Sequence, residues 1–241
     1  MSNEDRREIL SRVAAGTITP EEAASQLDRL NRAEAASQPA IRCVRVARHL
    51  GSVEIIGDPS VREAVAEGQH RARIEGDTMV FEPDPAADEG TFMFGFGRNW
   101  ANDKLLIRVN PSTALELHIQ AGNCRVRGVE GPIRADVQAA SASIEGFRSS
   151  LTLSVQAGSI RASGRLDEGE STISCDAGSV NLVLERGSSV RIVSRASMGK
   201  VELLGDATAY SNRGGHEATL GGGTAALNVT TNMGSVRISA E

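Results

Sequence analysis

The sequence predicts a mainly β protein, a single-stranded β-solenoid of the β-helix kind behind a small N-terminal helix-turn-helix module. Three observations lead there: a short phrase that recurs along the chain, alternation of apolar and polar residues around it, and a scarcity of aromatic rings. The phrase is plainest between Gln156 and Leu184, where Ala157-Gly158-Ser159-Ile160-Arg161-Ala162 returns as Ala177-Gly178-Ser179-Val180-Asn181-Leu182. Variants stand at Leu50-Gly51-Ser52-Val53, Ala121-Gly122-Asn123-Cys124, Ala142-Ser143-Ile144, Met198-Gly199-Lys200-Val201 and Met233-Gly234-Ser235-Val236. Such internal repetition has to be explained before anything else.

With the first apolar residue of each phrase as marker, Cys124, Ile144, Ile160, Val180 and Val201 are 20, 16, 20 and 21 residues apart. The last step, Val201 to Val236, is 35 and is expected to hold one degenerate turn plus a loop. Each unit reads as two short strands joined at glycine, with every second side chain pointing inward. A lone turn is not self-supporting. Ordering costs about 1.5 kcal/mol per residue, while each inward aliphatic side chain returns only about 1.5–3 kcal/mol. Stacked turns share one core and hydrogen-bond along their length. With aromatics at 3%, that core has to be built from Val, Ile, Leu and Ala.

In chain order, residues 1–31 form the two-helix module. Ile9, Leu10 and Val13 stripe the first helix, and Gly16 closes it. Thr19-Pro20-Glu21-Glu22 opens the second with a Thr cap, Pro at the first helical position and a Glu that completes a capping box. Two helices this short bury too little to stand alone. Ile9, Leu10, Val13, Ile18, Leu27 and Leu30 are therefore the candidate dimerisation or docking residues, with an end cap for the solenoid as the plainer reading. DNA binding fits poorly, because Glu21, Glu22 and Asp28 outweigh Arg29 on the second helix.

Residues 32–40 read as a small, polar linker ending at Pro39-Ala40, and residues 41–241 as the solenoid. Arg42, Arg45, Arg48 and His49 are expected on a solvated strand face, and residues 68–82 in a hairpin turning at Glu75-Gly76-Asp77. Residues 89–104 are an irregular loop in which Phe92, Met93, Phe94, Phe96 and Trp100 are either a hydrophobic lid or a candidate contact patch for a protein or membrane surface. The solenoid proper is expected from Leu105. Ser211 to Thr224 is rich in glycine but lacks the lysine ending of a phosphate loop, and is expected to be a flexible excursion. A last strand, Val236-Arg237-Ile238, would leave an open edge.

A net charge of −5 and no visible basic stripe argue against nucleic acid as partner. The chain shows neither a signal-peptide profile nor an apolar run long enough to span a bilayer, so a cytoplasmic location is expected, with peripheral contact at the inner face of the membrane. Three cysteines, Cys43, Cys124 and Cys175, are an odd count without CxxC spacing, and two of them occupy strand positions where a buried thiol reads as a small hydrophobe rather than a metal or redox group. Asp136, Glu145, Asp167 and Asp176 show no offset that would pair two acids, and His49, His70, His118 and His216 show no metal spacing. No catalytic, cofactor or metal residue is assigned.

These repeats, the early hairpin, the Phe94-Gly95-Phe96-Gly97-Arg98 loop and the strand from Val109 to Leu117 resemble the putative-adhesin β-solenoid family, also called toastrack domains. The stretch from Ile9 to Ala24, with its Gly16, Ile18, Thr19 and Glu21-Glu22-Ala23 core, is similar to the SHOCT-like module found ahead of such solenoids. The resemblance implies a non-enzymatic bacterial scaffold or adaptor in the cell-envelope stress response. It would work through homo-oligomerisation and contact with a membrane-associated protein, without a cofactor. Two alternatives stand beside it: a self-assembling structural protein like the bactofilins, and a carbohydrate-binding or carbohydrate-active solenoid.

Overall fold

The computed structural model describes residues 11–15, 18–24, 26, 41–83, 104–204, 208–212 and 215–241. Its contacts divide the chain into two units, residues 1–40 and 41–241.

In the first unit, residues 11–14 and 20–24 are helical. The capping box at the second start is reciprocal: Glu22 N donates to Thr19 Oγ1 at 3.2 Å, and Thr19 N to Glu22 Oε2 at 3.1 Å. Two amide donors that the helix itself cannot satisfy are thereby paired. Ala23 is buried, and Val13 and Ile18 are half-buried. Ile9, Leu10, Leu27, Leu30 and the linker 32–40 lie outside the described residues.

The second unit is mainly β and resembles a solenoid, with strands arranged as two ladders that share one core. The early strands are β1 (Cys43–Arg48), β2 (Ser52–Gly57), β3 (Ala64–Glu67), β4 (Arg71–Glu75), β5 (Thr78–Glu82) and β6 (Lys104–Val109). Two long strands, β7 (Ala114–Arg127) and β8 (Ile133–Phe147), run through both ladders. Next come β9 (Leu151–Val155), β10 (Ser159–Gly164), β11 (Glu170–Cys175), β12 (Ser179–Leu184), β13 (Val190–Ala196) and β14 (Lys200–Leu204). The chain closes with β15 (Thr208–Asn212), β16 (Gly215–Leu220), β17 (Ala225–Thr231) and β18 (Ser235–Ala240).

The first ladder runs β4, β5, β1, the first half of β7, the first half of β8, β9, β11, β17, β13, β16, β15. The second runs β3, β6, β2, the second half of β7, the second half of β8, β10, β12, β18, β14. Pairing is parallel except where β3, β4, β15 and β16 join, and these lie at the ends.

Alternation does what the sequence predicts. Leu151, Leu153 and Val155 face inward from the first ladder, Val180, Leu182 and Leu184 from the second, and all six are buried. Cys124 and Cys175 occupy such inward positions as well. Every step of the middle turns is set by register: Leu115 pairs with Ile133, a step of 18, and Ser159 with Ser179, a step of 20.

Register also corrects the repeat reading. Cys124 pairs with Ala142 and Ala142 with Ile160, so the marker in that turn is Ala142, and the short step to Ile144 disappears. An alanine fills the inward place there, which a search for branched residues passes over.

The ends correct it further. The turn β17–β18 lies between β11–β12 and β13–β14, so the last strand is paired on both sides and leaves no open edge. At the other end β1–β2 lies between β5–β6 and β7, so the stack starts well before Leu105. Both insertions use the same offset of 35, from Cys43 to Thr78 and from Val190 to Ala225. The glycine-rich stretch is an antiparallel hairpin, β15–β16, laid on β13, rather than a loose excursion. Arg48 is not on a solvated face either: it is 4% exposed and directs Nη1 to the Gln69 carbonyl at 3.3 Å.

Candidate functional site

The recurring phrase makes a corner, and the corner explains its glycines. The carbonyl of Gly158 accepts the amide of Ser179, that of Gly178 the amide of Ser235, and that of Gly234 the amide of Lys200, each at 3.0 Å. A Cβ on Gly178 would stand under 3.0 Å from the Gly158 oxygen, and Gly234 and Gly199 meet the same obstacle in the turns beneath them. Glycine is required here by the closeness of the neighbouring backbone.

Immediately after the corner, the second ladder turns one side chain out, one in, one out. The first outward position is a column of small polar groups: Ser52, Asn123, Ser141, Ser159, Ser179 and Ser235 are adjacent in register. Ser141 Oγ and Ser159 Oγ stand 3.1 Å apart. Lysines close the column at both ends, Lys104 beside Ser52 and Lys200 beside Ser235.

The second outward column reads Glu54, Arg125, Ser143, Arg161, Asn181, Arg237, Glu202. Its ends are tied down by ion pairs. Lys104 Nζ lies 2.5 Å from Glu54 Oε2, and Arg127 bridges Glu54 and Glu145 at 3.5 Å each. Arg237 reaches Glu202 Oε2 with Nη2 at 2.8 Å and Nε at 2.9 Å, and Lys200 pairs with the same carboxylate. The hydrogen bond from Lys104 holds the Glu54 carboxyl below its ordinary range, and hydrogen bonds from Lys200 and then Arg237 do so for Glu202. Ser179, Asn181, Lys200, Glu202, Ser235 and Arg237 border a shallow groove of about 380 Å³ on this face.

On the opposite outer face, on the first ladder, the pairs gather at β1, β4, β5, β7 and β8. Arg45 bonds Glu116 at 2.7 Å and Glu75 at 3.6 Å, Arg73 bonds Glu75 and Glu82, and His118 lies 3.3 Å from Asp136. The His118 side chain is 46% exposed, a surface position.

Phe92, Met93, Phe94, Phe96 and Trp100 lie outside the described residues. Burial pushes the Cys124 thiol up to about 12 and raises that of Cys43. Among the described residues no three His, Cys, Asp or Glu side chains converge as a metal site would require. The arginine column is what sequence reading missed. Its signal was present, since Arg125, Arg161 and Arg237 all hold the same place in the phrase, but the residues are far apart in the chain and only register sets them in line.

Fold and face define a mainly β repeat protein that carries an ordered polar array. No family model matches the chain, and no curated protein matches it. Among solved structures it is similar to a putative cell adhesion protein from Clostridium sporogenes, at 10% identity over 84% of this chain and 94% of that one, with a TM-score of 0.42. A putative adhesin from Bacteroides fragilis is similar at 11% identity over 82% and 92% of the two chains, with a TM-score of 0.28. At that distance neither structure bears on what this chain does.

Proposed function

We propose that the protein is a non-enzymatic scaffold of discrete size, acting through protein contacts in the bacterial envelope stress response. The observation that carries the scaffold reading is the interlocking of turns at both ends of a single core, which joins the described strands of the second unit into one platform. The stress setting, the cytoplasmic face of the membrane as location, and a membrane-associated partner come from the toastrack resemblance. In this reading residues 4–31 dock or dimerise, and the Phe92 to Trp100 loop contacts the partner.

A filament built by end-to-end stacking is the weaker reading. Stacking needs open parallel edges, and three of the four ladder ends carry antiparallel strands: β3, β4 and β15. The fourth, β14, displays Lys200 on its edge, a device that discourages strand addition.

Crosslinking and affinity capture from soluble and membrane fractions, with the full chain and one lacking residues 1–38, test the proposal. A membrane protein captured by the full chain and lost on truncation is the expected result. Recovery of the chain alone, in complexes that lengthen with concentration, would replace the scaffold with the filament.

A further inference from the structure

The outer face of the second ladder has a charge pattern that neither the scaffold reading nor a structural role uses. On its five central strands the outward charges are Arg125, Arg127, Arg161 and Arg237 against Glu145 alone, in a chain whose net charge is −5. Glu145 is engaged by Arg127 and by the Ser143 hydroxyl, Arg127 is also held by Glu54, and Arg237 is held by Glu202 from the next strand. Among the described residues Arg125 and Arg161 make no ion pair, although several carboxylates lie on the same sheet.

Spacing narrows the ligand. Arg125, Arg161 and Arg237 sit on every second strand, with Ser143 and Asn181 between them. Neighbouring strands are about 4.8 Å apart, so the guanidinium groups repeat at about 9.6 Å. Phosphates along a duplex strand repeat at about 3.4 Å, far more densely than these arginines could match. Nor does this face offer the aromatic platforms on which single-stranded bases stack: its outward residues are Ser, Asn, Arg, Glu and Val. The interval is instead close to the length of two linked sugar rings. Beside the arginines runs the column of Ser and Asn side chains, which can donate to and accept from sugar hydroxyls at every strand.

We propose that this face binds an extended, linear acidic polysaccharide with one carboxylate per disaccharide, laid along the stack so that successive carboxylates meet Arg125 and Arg161. The sugars beside them lie over Ser143 and Asn181 and hydrogen-bond to the serine column. Recognition is by charge interval and hydroxyls, and Arg161 is the central contact. The proposal is independent of residues 4–31, of any protein partner and of the cytoplasmic location taken from the toastrack resemblance, since such a polysaccharide is met outside the cytoplasm.

Hyaluronan, whose carboxylates fall on alternate sugars, is the probe. Binding of its disaccharide, tetrasaccharide and longer oligomers to the full chain is measured calorimetrically at low ionic strength, beside a neutral β-linked glucan, oligo-dT, polyphosphate and anionic vesicles. Hyaluronan is expected to bind, to weaken steeply with salt, and to gain affinity with length up to the tetrasaccharide, which carries two carboxylates. Arg161→Ser copies the residue that the neighbouring turn carries at the same place, so the fold is retained. It should weaken binding roughly tenfold, the size of a charge-assisted hydrogen bond. Arg134→Ser, on the other ladder, should leave binding unchanged. No hyaluronan binding by the unaltered chain, equal affinity for the neutral glucan, tighter binding of oligo-dT, polyphosphate or vesicles, or indifference to Arg161→Ser would each overturn the proposal.

Discussion

In the middle of the stack, from β7 to β12, each turn is followed in sequence by the turn that lies on it; at the two ends it is not. The middle could lengthen or shorten by whole turns without changing its contacts, as repeat proteins do. At the ends the chain runs past, turns back and inserts a turn between two others, so β1–β2 and β17–β18 are held from both sides. Similar strand phrases thus serve modular stacking in one region and closure in the other. Local sequence decides what a turn looks like, and the long-range pairing decides where it goes.

Removing residues 232–241 gives the largest test of that difference. At a frayed terminus the loss would be slight. Here it takes Val236 and Ile238, both buried, out of the core and strips β14 of its only partner strand among the described residues. Those two side chains alone are worth about 3–6 kcal/mol. The truncated chain should show rapid amide exchange through β13, β14 and β17. Exchange confined to β14 would mean that the end is modular after all.

A second test compares glycines. Alanine at Gly178, in a middle corner, would put its Cβ against the Gly158 carbonyl, and a loss of about 2–3 kcal/mol is expected in denaturant titration. Gly76, in the β4–β5 hairpin at one end, has nothing within 4 Å of such a Cβ, and only its φ of 64° resists the change. The cost there should be about 1–2 kcal/mol.

The smallest effect concerns the ion pairs near the ends. The folded Glu54 carboxyl titrates below its ordinary value, so its contribution is present above the unfolded value and is lost as pH falls through the folded one. Glu54→Gln should therefore lower the melting temperature slightly at pH 7 and not at all once the pH is below the folded value. A difference that persists in acid would trace the effect to packing instead.

Much of the repeat was legible because inward alternation and corner glycine are local demands. The capping box at Thr19 and Glu22 was legible for the same reason, since all its partners lie within one helical turn. What escaped depends on which strand lies beside which. The 35-residue step from Val201 to Val236 was visible in the sequence, but nothing local says that Val236 folds back to pair with Val201 and Val180 at once. Arg48 misled for a related reason: its charge favoured the surface, whereas it occupies an inward place in the alternation after Val44 and Val46. The face of the second ladder was hidden most completely, because Arg125, Arg161 and Arg237 lie far apart in the chain and only register sets them in line.

The inserted turn also sets a schedule. The ribosome delivers β13 and β14 before β17 and β18, on which they must rest. During that interval the growing chain holds two finished strands whose proper seat has not yet been made, while the exposed side of β11 and β12 offers a similar but mistaken one. Closure of this end waits until β17 and β18 have been made, and strands translated earlier take their seats only then.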